Sequence, residues 1–232
     1  MNPPLTAGHI RAALPGCEPR ERLAGYHNDV WLVRHRDTDR ILRIGPPGHR
    51  TREELHAELA FLSCLIDSGA PVVRPVTAVG ENGVITLEHP DQRLACLFEQ
   101  VDGSNWRDCE HDATVIEAAG DALGRIHAAS RELGTGSRRD SASAGGSGEA
   151  NAARHVREVI RARRLWHEKP HLVRAPEVCD RIRPGLSRRI SEFIANLRAH
   201  DGGAGWGLLH GDYLFSNYLV TESGVCVIDF DE

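Results

Sequence analysis

Two apolar-rich runs stand near the start of the chain. Asp29-Val-Trp-Leu-Val-Arg-His-Arg36 and Arg40-Ile-Leu-Arg-Ile44 flank Asp37-Thr-Asp39, and their β-branched and aromatic content predicts an antiparallel hairpin closed by that turn. Gly45-Pro-Pro-Gly48 ends it. From Thr51 to Ser68 the period changes: Leu55, Leu59, Leu62 and Ile66 recur at helical spacing until Gly69-Ala-Pro71 terminates the run. Further strands are expected at Val84–Leu87 and Leu94–Val101. After Asp102-Gly103 a second helix is predicted over Asp112–Ser130, capped by Asp112, with apolar residues at 116, 119, 123 and 126. Gly134–Gly148 is rich in Gly, Ser and Ala and has little to bury, which predicts a flexible insertion. Two arginine-rich helices are expected at about 151–168 and 176–200. Gly202-Gly-Ala-Gly205 then leads into a short strand, a loop and a strand over Val225–Asp229. No internal repeat is present. The order of elements predicts a strand-rich lobe over 1–101 and a mainly helical lobe over 102–232 with an insertion near 134–150.

Composition narrows the classes. With 232 residues, of which 41% are hydrophobic, the chain can bury a substantial core. A formal charge of -5 argues against a nucleic-acid binder, which ordinarily carries a net basic footprint, so the arginine-rich helices are read as solvated faces. The uncharged run Leu59–Ile66 is far short of the roughly 20 apolar residues a membrane helix needs. No secretory signal is read at Met1-Asn-Pro-Pro, so a soluble cytoplasmic protein is expected, without nucleic-acid or membrane partners. Six cysteines at 17, 64, 96, 109, 179 and 226 form no C-x-x-C pair, which predicts free thiols in a reducing compartment. The basic residues comprise 27 arginines and a single lysine, Lys169. That excludes the G-x-x-x-x-G-K-[ST] phosphate loop, and any phosphate clamp must use arginine.

The chemistry concentrates near the end of the sequence. In Leu208-Leu-His-Gly-Asp-Tyr-Leu-Phe-Ser-Asn-Tyr-Leu-Val220, Asp212 stands five residues before Asn217, and Asp229 follows at the end of the apolar strand in Val225-Cys-Val-Ile-Asp-Phe-Asp231. This is a kinase spacing: one Asp receives a hydroxyl proton, while the Asn and a second Asp supply the hard oxygen ligands magnesium prefers. Either motif alone could be an ordinary turn or strand end, but their order and apolar flanks favour the functional reading. A zinc hydrolase built on His210, Asp212 and Asp229 is the competing site. The dispersal of the 13 histidines disfavours it.

The chain resembles the aminoglycoside phosphotransferase and choline kinase family, small-molecule kinases with a protein-kinase-like fold. His210-Gly-Asp-x-x-x-x-Asn217 and Ile228-Asp-Phe-Asp231 carry the resemblance. Gly25-Tyr-His-Asn28, Ile41-Leu-Arg-Ile44, Glu58, Leu97-Phe-Glu-Gln-Val-Asp-Gly103 and Leu123-Gly-Arg-Ile-His127 support it more loosely. The resemblance implies an α+β bilobal fold with a small antiparallel-sheet N-lobe and a mainly helical C-lobe. It further implies ATP in the cleft, Mg2+ as cofactor, and transfer of the γ-phosphoryl group to a hydroxyl of a small molecule that is aminoglycoside-, sugar-, homoserine- or choline-like. Relatives continue past their second metal ligand, so a C-lobe that is incomplete at Glu232 is expected. A catalytically weak or inactive nucleotide-binding remnant is the alternative, and a protein Ser/Thr kinase is a third reading. Neither the acceptor nor the oligomeric state is legible.

Carried onto this sequence, the resemblance makes Asp212 the catalytic base, and Asn217 and Asp229 the magnesium ligands. Arg43 falls where the family has its phosphate-pairing lysine; arginine keeps the charge and adds a bidentate fork. The helix partner of Arg43 also follows from geometry. At 100° per residue Glu58 lies within about 60° of the centre of the Leu55–Leu59–Leu62–Ile66 face, whereas Glu53 points away and Glu54 sits at its edge. A carboxylate inside an apolar face requires a cation, and Arg43 would supply it. By position, Gly25 to Asn28 would cover the nucleotide phosphates, and Glu99 to Val101 would be the hinge that reads adenine. His127, on the apolar face of its helix, is expected to be a buried, hydrogen-bonded structural histidine.

Overall fold

The computed structural model describes residues 5–23, 25, 27–109, 113–135, 180–181, 183–189, 191–192, 210 and 212–230. The expected insertion at 134–148, the helix at 151–168, most of that at 176–200, the Asp112 cap and Asp231 lie outside the described residues, except that the second helix runs on to Thr135. Residues 1–129 and 209–232 form one compact unit, and 130–208 form another. In the second unit, the Asp180 carboxylate accepts hydrogen bonds from the amide (3.0 Å) and hydroxyl of Ser187.

The elements run α1 (Ala7–Ala13), β1 (Cys17–Leu23), β2 (Asp29–His35), β3 (Thr38–Ile44), α2 (Arg52–Asp67), β4 (Val84–Leu87), β5 (Arg93–Glu99), β6 (Ser104–Asn105), α3 (Ala113–Thr135), β7 (Tyr218–Thr221) and β8 (Gly224–Val227). Five strands make an antiparallel sheet in the order β1-β2-β3-β5-β4, and β6-β7-β8 make a second, smaller sheet.

The β2–β3 hairpin forms where its β-branched and aromatic runs predict it, but its turn is Arg36-Asp37, with φ of 50° and 61°, and not Asp37-Thr-Asp39. His35 already pairs with Thr38, leaving a two-residue connection. Two central residues with positive φ match the strand twist as types I and II do not. The α1 helix and β1 strand are not in the sequence expectation. The strand, Cys-Glu-Pro-Arg-Glu-Arg-Leu, is mostly polar because it lies at the sheet edge, where Pro19 sits beside a register shift between Pro19 and Glu21. A proline is tolerated in such a place because no central ladder bond is lost.

Alternation along β3 and β5 divides the sheet into two faces. Leu42, Ile44, Ala95 and Leu97 join Val33, Ile85, Leu87, Ile10 and Leu14 in one buried core. Arg43, Cys96 and Phe98 alternate with them and occupy the opposite face, where Arg43 meets Glu58 of α2.

Thr51 begins α2 with a capping box: its hydroxyl accepts from the Glu54 amide (3.2 Å), and its own amide donates to the Glu54 carboxylate (2.9 Å). The buried face is Leu55, Leu59, Leu62 and Leu65, with Phe61 and Glu58. Ile66 is only half-buried, so the face turns toward Leu65. Similarly, Ile116 of α3 is 57% exposed, against expectation, and Ala119, Ala122, Ile126 and Ala129 form the packed stripe. These alanines permit close approach, a feature that a search for large apolar residues passes over. His127 is half-buried. No helix among the described residues is long and apolar enough to cross a membrane.

Candidate active site

Two constructions bring the candidate residues into place. The first is an ion network under the main sheet. Arg43 on β3 donates through Nη2 to Glu58 Oε1 at 2.6 Å, and its other terminal nitrogen lies 3.5 Å from Asp229 Oδ1. Its guanidinium carbon stands 5.2 Å from the centroid of Phe98, so the planar cation is held over an aromatic face on β5. Glu58 is 2% exposed. Burying a carboxylate so completely is costly without compensation, and two cations compensate it: Arg50 Nη2 approaches Glu58 Oε2 at 3.5 Å. Glu54 accompanies Arg50 at 3.9 Å. The Cys96 thiol, paired in register with Arg43, is pushed up to about 12 by burial, which outweighs the lowering effect of Arg43, so it stays a neutral wall.

The second construction is a loop that folds back on itself. Asn217 Nδ2 donates to both the main-chain oxygen of Asp212 (2.9 Å) and its Oδ2 (3.0 Å). The Leu214 amide donates to the Asp212 carbonyl at 2.8 Å, and the Asn217 amide to the Leu214 carbonyl at 2.9 Å. A spacing of five residues thus suffices to clamp an acid against an amide. Tyr213 anchors the loop to α3 by donating to the Ala119 carbonyl at 2.7 Å, and its phenol is raised to about 12, first by burial and then by Tyr218.

Asp229 links the two constructions. It lies just past β8 with φ of 66°, a left-handed conformation costly for a residue other than glycine and found mainly where the surroundings enforce it. The enforcing contacts are on either side. The Ile228 amide donates to the Asn217 carbonyl at 2.9 Å, and the Ile228 carbonyl accepts from His210 Nε2 at 2.7 Å. Phe230 packs against the His210 ring at 4.3 Å and edge-on to Phe61 of α2 at 6.1 Å. Val227 bonds through its amide to the Pro71 carbonyl and through its carbonyl to the Val73 amide, tying the strand to the segment after α2.

His210 is therefore a buried tether, 1% exposed, and its Nε2 is engaged by a backbone carbonyl. The zinc reading of His210, Asp212 and Asp229 loses a ligand atom on this geometry. Among the described residues no group of three or more His, Cys, Asp or Glu side chains could hold a metal. One spacing not weighed in the sequence expectation is His167-Glu-Lys-Pro-His171, an H-E-x-x-H run. It lies outside the described residues.

The remaining candidates are set around this core. Gly25 is exposed, and a Cβ added to it would stand 2.2 Å from the Asn28 carbonyl oxygen, so the 25–28 bend needs glycine. Asn28 lines a cleft with Arg43, Arg50, Gln92 and Cys96. Glu99 ends β5, between Arg40 and Arg74 at 3.8 Å each, and its amide donates to the Arg74 carbonyl at 2.8 Å. Val101 is half-buried in the link to β6. Beside the 25–28 bend, Asp29 is held by Arg22 and Arg93. Burial pushes its carboxyl up, but hydrogen bonds from Arg93 and Arg22 outweigh that and keep it below the ordinary carboxylate value. Arg50 and Asp29 were not singled out in the sequence: Arg50 lies in a Gly-Pro loop without a helical register, and the partners of Asp29 are 7 and 64 residues away.

A small antiparallel sheet braced by a helix, joined to a loop with Asp and Asn five apart and a second Asp after a short hairpin, defines an α+β, protein-kinase-like architecture. The chain matches the phosphotransferase enzyme family (APH) over residues 19–232, and it belongs to that family. No curated protein matches it. Similar solved structures include an amicoumacin kinase in complex with AMP-PNP and Ca2+ (19% identity, TM-score 0.68, covering 96% of this chain and 62% of that one). A microcompartment-associated aminopropanol kinase is 22% identical with a TM-score of 0.58, covering 97% of this chain and 68% of that one. An aminoglycoside phosphotransferase variant with ADP and hygromycin B is 13% identical with a TM-score of 0.58, covering 97% and 70%. At these identities the likeness is one of fold. The chain spans 62% of the length of the amicoumacin kinase.

Proposed function

We propose that the protein is an ATP-dependent phosphotransferase that moves the γ-phosphoryl group to a hydroxyl of a small molecule. The observation that carries this reading is that the Arg43–Glu58 pair contacts Asp229 while the Asp212–Asn217 loop holds the adjacent Ile228 through its amide. Membership of the phosphotransferase family supports it, as do the nucleotides bound in solved structures of the same fold. The strand-rich lobe through Val101 would take the nucleotide, with Gly25 to Asn28 over its phosphates and the link from Glu99 to Val101 beside the adenine.

In the reaction, Asp212 accepts the proton of the acceptor hydroxyl and orients its oxygen. That oxygen forms a bond to the γ-phosphorus as the bridging oxygen–phosphorus bond breaks, and ADP leaves with the electron pair. Arg43 pairs with phosphate oxygens and is held in place by Glu58. The donor chemistry fits a hard cation: the Asp229 carboxylate and the Asn217 amide oxygen are the only protein ligands required, since magnesium ordinarily completes its shell with phosphate oxygens and water. When bound, magnesium would offset the charge developing on the transferring phosphates. Asn217 fits that role because its amide nitrogen is committed to Asp212, and its oxygen, which accepts from the Ser216 hydroxyl at 3.2 Å, has a second lone pair for a metal.

Incubation with Mg-ATP and a panel of amino alcohols, sugars and aminoglycosides, followed by phosphorus NMR, tests the reading. Equimolar ADP and a new phosphomonoester are expected with at least one acceptor. ATP binding without any phosphomonoester would point instead to a nucleotide-binding remnant.

A further inference from the structure

Among the described residues three large hydrophobic side chains are strongly exposed: Ile116 on α3, and the adjacent pair Leu214 (55%) and Phe215 (60%). A single exposed leucine is unremarked in most proteins. Here the two neighbours occupy the turn between Asp212 and Asn217, the residues assigned as base and metal ligand. The turn is fixed by the backbone hydrogen bonds of Leu214 and Asn217 and by the anchoring of Tyr213 to α3.

Phe215 is also backed by a rigid floor. Its ring stacks on Trp106 at 4.6 Å and 15°, and both rings meet Tyr218 edge-on, at 6.0 and 5.7 Å. Trp106 is only 8% exposed. One face of Phe215 is therefore occupied by protein and the other side of the ring is open. Phe215 is three positions after Asp212, so their Cα atoms can be no more than about 11 Å apart, a span that one small molecule can bridge. An ordered aromatic face offers apolar contact at low entropic cost to a ligand.

We propose that Leu214 and Phe215 determine acceptor specificity: they receive an apolar or planar part of the acceptor while its hydroxyl meets Asp212. The substrate class is then an alcohol carrying a ring or apolar surface near its reactive hydroxyl, in preference to a bare polyol. Trp106 is a positioning residue that acts through Phe215. The inference rests on the reading of Asp212 as the base.

The test uses pairs of alcohols that differ only in the apolar group: phenyl against methyl glycosides, and phenyl-substituted against methyl-substituted amino alcohols. Binding is read by saturation-transfer NMR, which needs no turnover, and transfer by steady-state kinetics with Mg-ATP. The phenyl member of at least one pair is expected to bind on the order of tenfold more tightly, the factor a well-placed aromatic contact supplies. Phe215→Ala and Leu214→Ser should erase that preference in binding and in acceptor KM while the KM for ATP stays unchanged. Phe215→Tyr should keep it. Equal binding of both members of every pair, or a preference that survives Phe215→Ala in a folded protein, would overturn the inference. A phenyl preference in binding with no phosphomonoester from any acceptor would uphold the apolar site and count against the phosphotransferase reading; transfer without the preference would do the reverse.

Discussion

The Arg43–Glu58 pair and the Asp212–Asn217 clamp both reach the Asp229 turn, the first through Arg43 at 3.5 Å and the second through the hydrogen bond of the Ile228 amide to the Asn217 carbonyl, yet they are built in opposite ways. The pair joins a strand to a helix across 15 residues, is nearly buried, and is held entirely by side chains. The clamp spans five residues, is partly open, and is held largely by backbone groups. A charge removed from the pair leaves its partner buried and uncompensated, so folding and function are damaged together. A charge removed from the clamp leaves most of its hydrogen bonds in place, and function alone should suffer. Substitutions can break this contrast.

The largest effect is expected from Asp212→Asn. It keeps the shape of the loop but removes the proposed proton acceptor, so turnover should fall by about 10²–10⁴-fold with melting temperature and Mg-ATP affinity nearly unchanged. Retention of more than about a tenth of the activity would remove Asp212 from the role of base.

Arg43→Ala should act on both stability and nucleotide affinity. Stranding a buried carboxylate costs about 3–5 kcal/mol, and the loss should fall toward the lower end because Arg50 still faces Glu58. Arg43→Lys restores a point charge but not the fork, and should recover most of the stability and only part of the ATP affinity. Denaturant melts and calorimetry separate the two quantities. Equal and small effects of both variants would place Arg43 outside the nucleotide site.

Asn217→Ala removes one donor that serves two acceptors on Asp212 and should cost about 1–2 kcal/mol. A loss much larger than that would mean that the clamp is as cooperative as the buried pair.

The readable part of the sequence divides along the same line. Local patterns were legible: the β2–β3 hairpin from its β-branched and aromatic runs, α2 from its period, and the Asp212–Asn217 spacing from its fixed length. The contact of Arg43 with Glu58 was legible too, because a carboxylate within an apolar helical face has few ways to be compensated. The missing pieces depend on tertiary context. Edge strand β1 is polar, α1 has only seven residues, and the packing stripe of α3 uses alanines. His210, a ligand only in the disfavoured zinc reading of the sequence, is a tether, because its partner is a backbone carbonyl 18 residues away. Arg50 and the clamp of Arg22 and Arg93 on Asp29 carry no periodic signal at all.

The smallest predicted effect lies in that last cluster. The Asp29 carboxyl is held below its ordinary value, so its contribution to stability is present above the unfolded value of about 3.9 and is lost as pH falls through the folded value. Asp29→Asn should therefore lower the melting temperature near neutrality and flatten its decline below about pH 4. Parallel pH profiles of the two proteins would show that the clamp does not survive in solution.

The most direct test of the account is the affinity for ATP measured by calorimetry with and without magnesium, for the wild type, Asp229→Ala and Asp212→Asn. Asp229, the proposed metal ligand, neighbours Arg43 and follows the residue whose amide bonds the Asn217 carbonyl. Magnesium should strengthen ATP binding in the wild type and in Asp212→Asn, and this enhancement should disappear in Asp229→Ala. An enhancement that persists in Asp229→Ala, or one that disappears in Asp212→Asn, would contradict the division of roles between the two carboxylates.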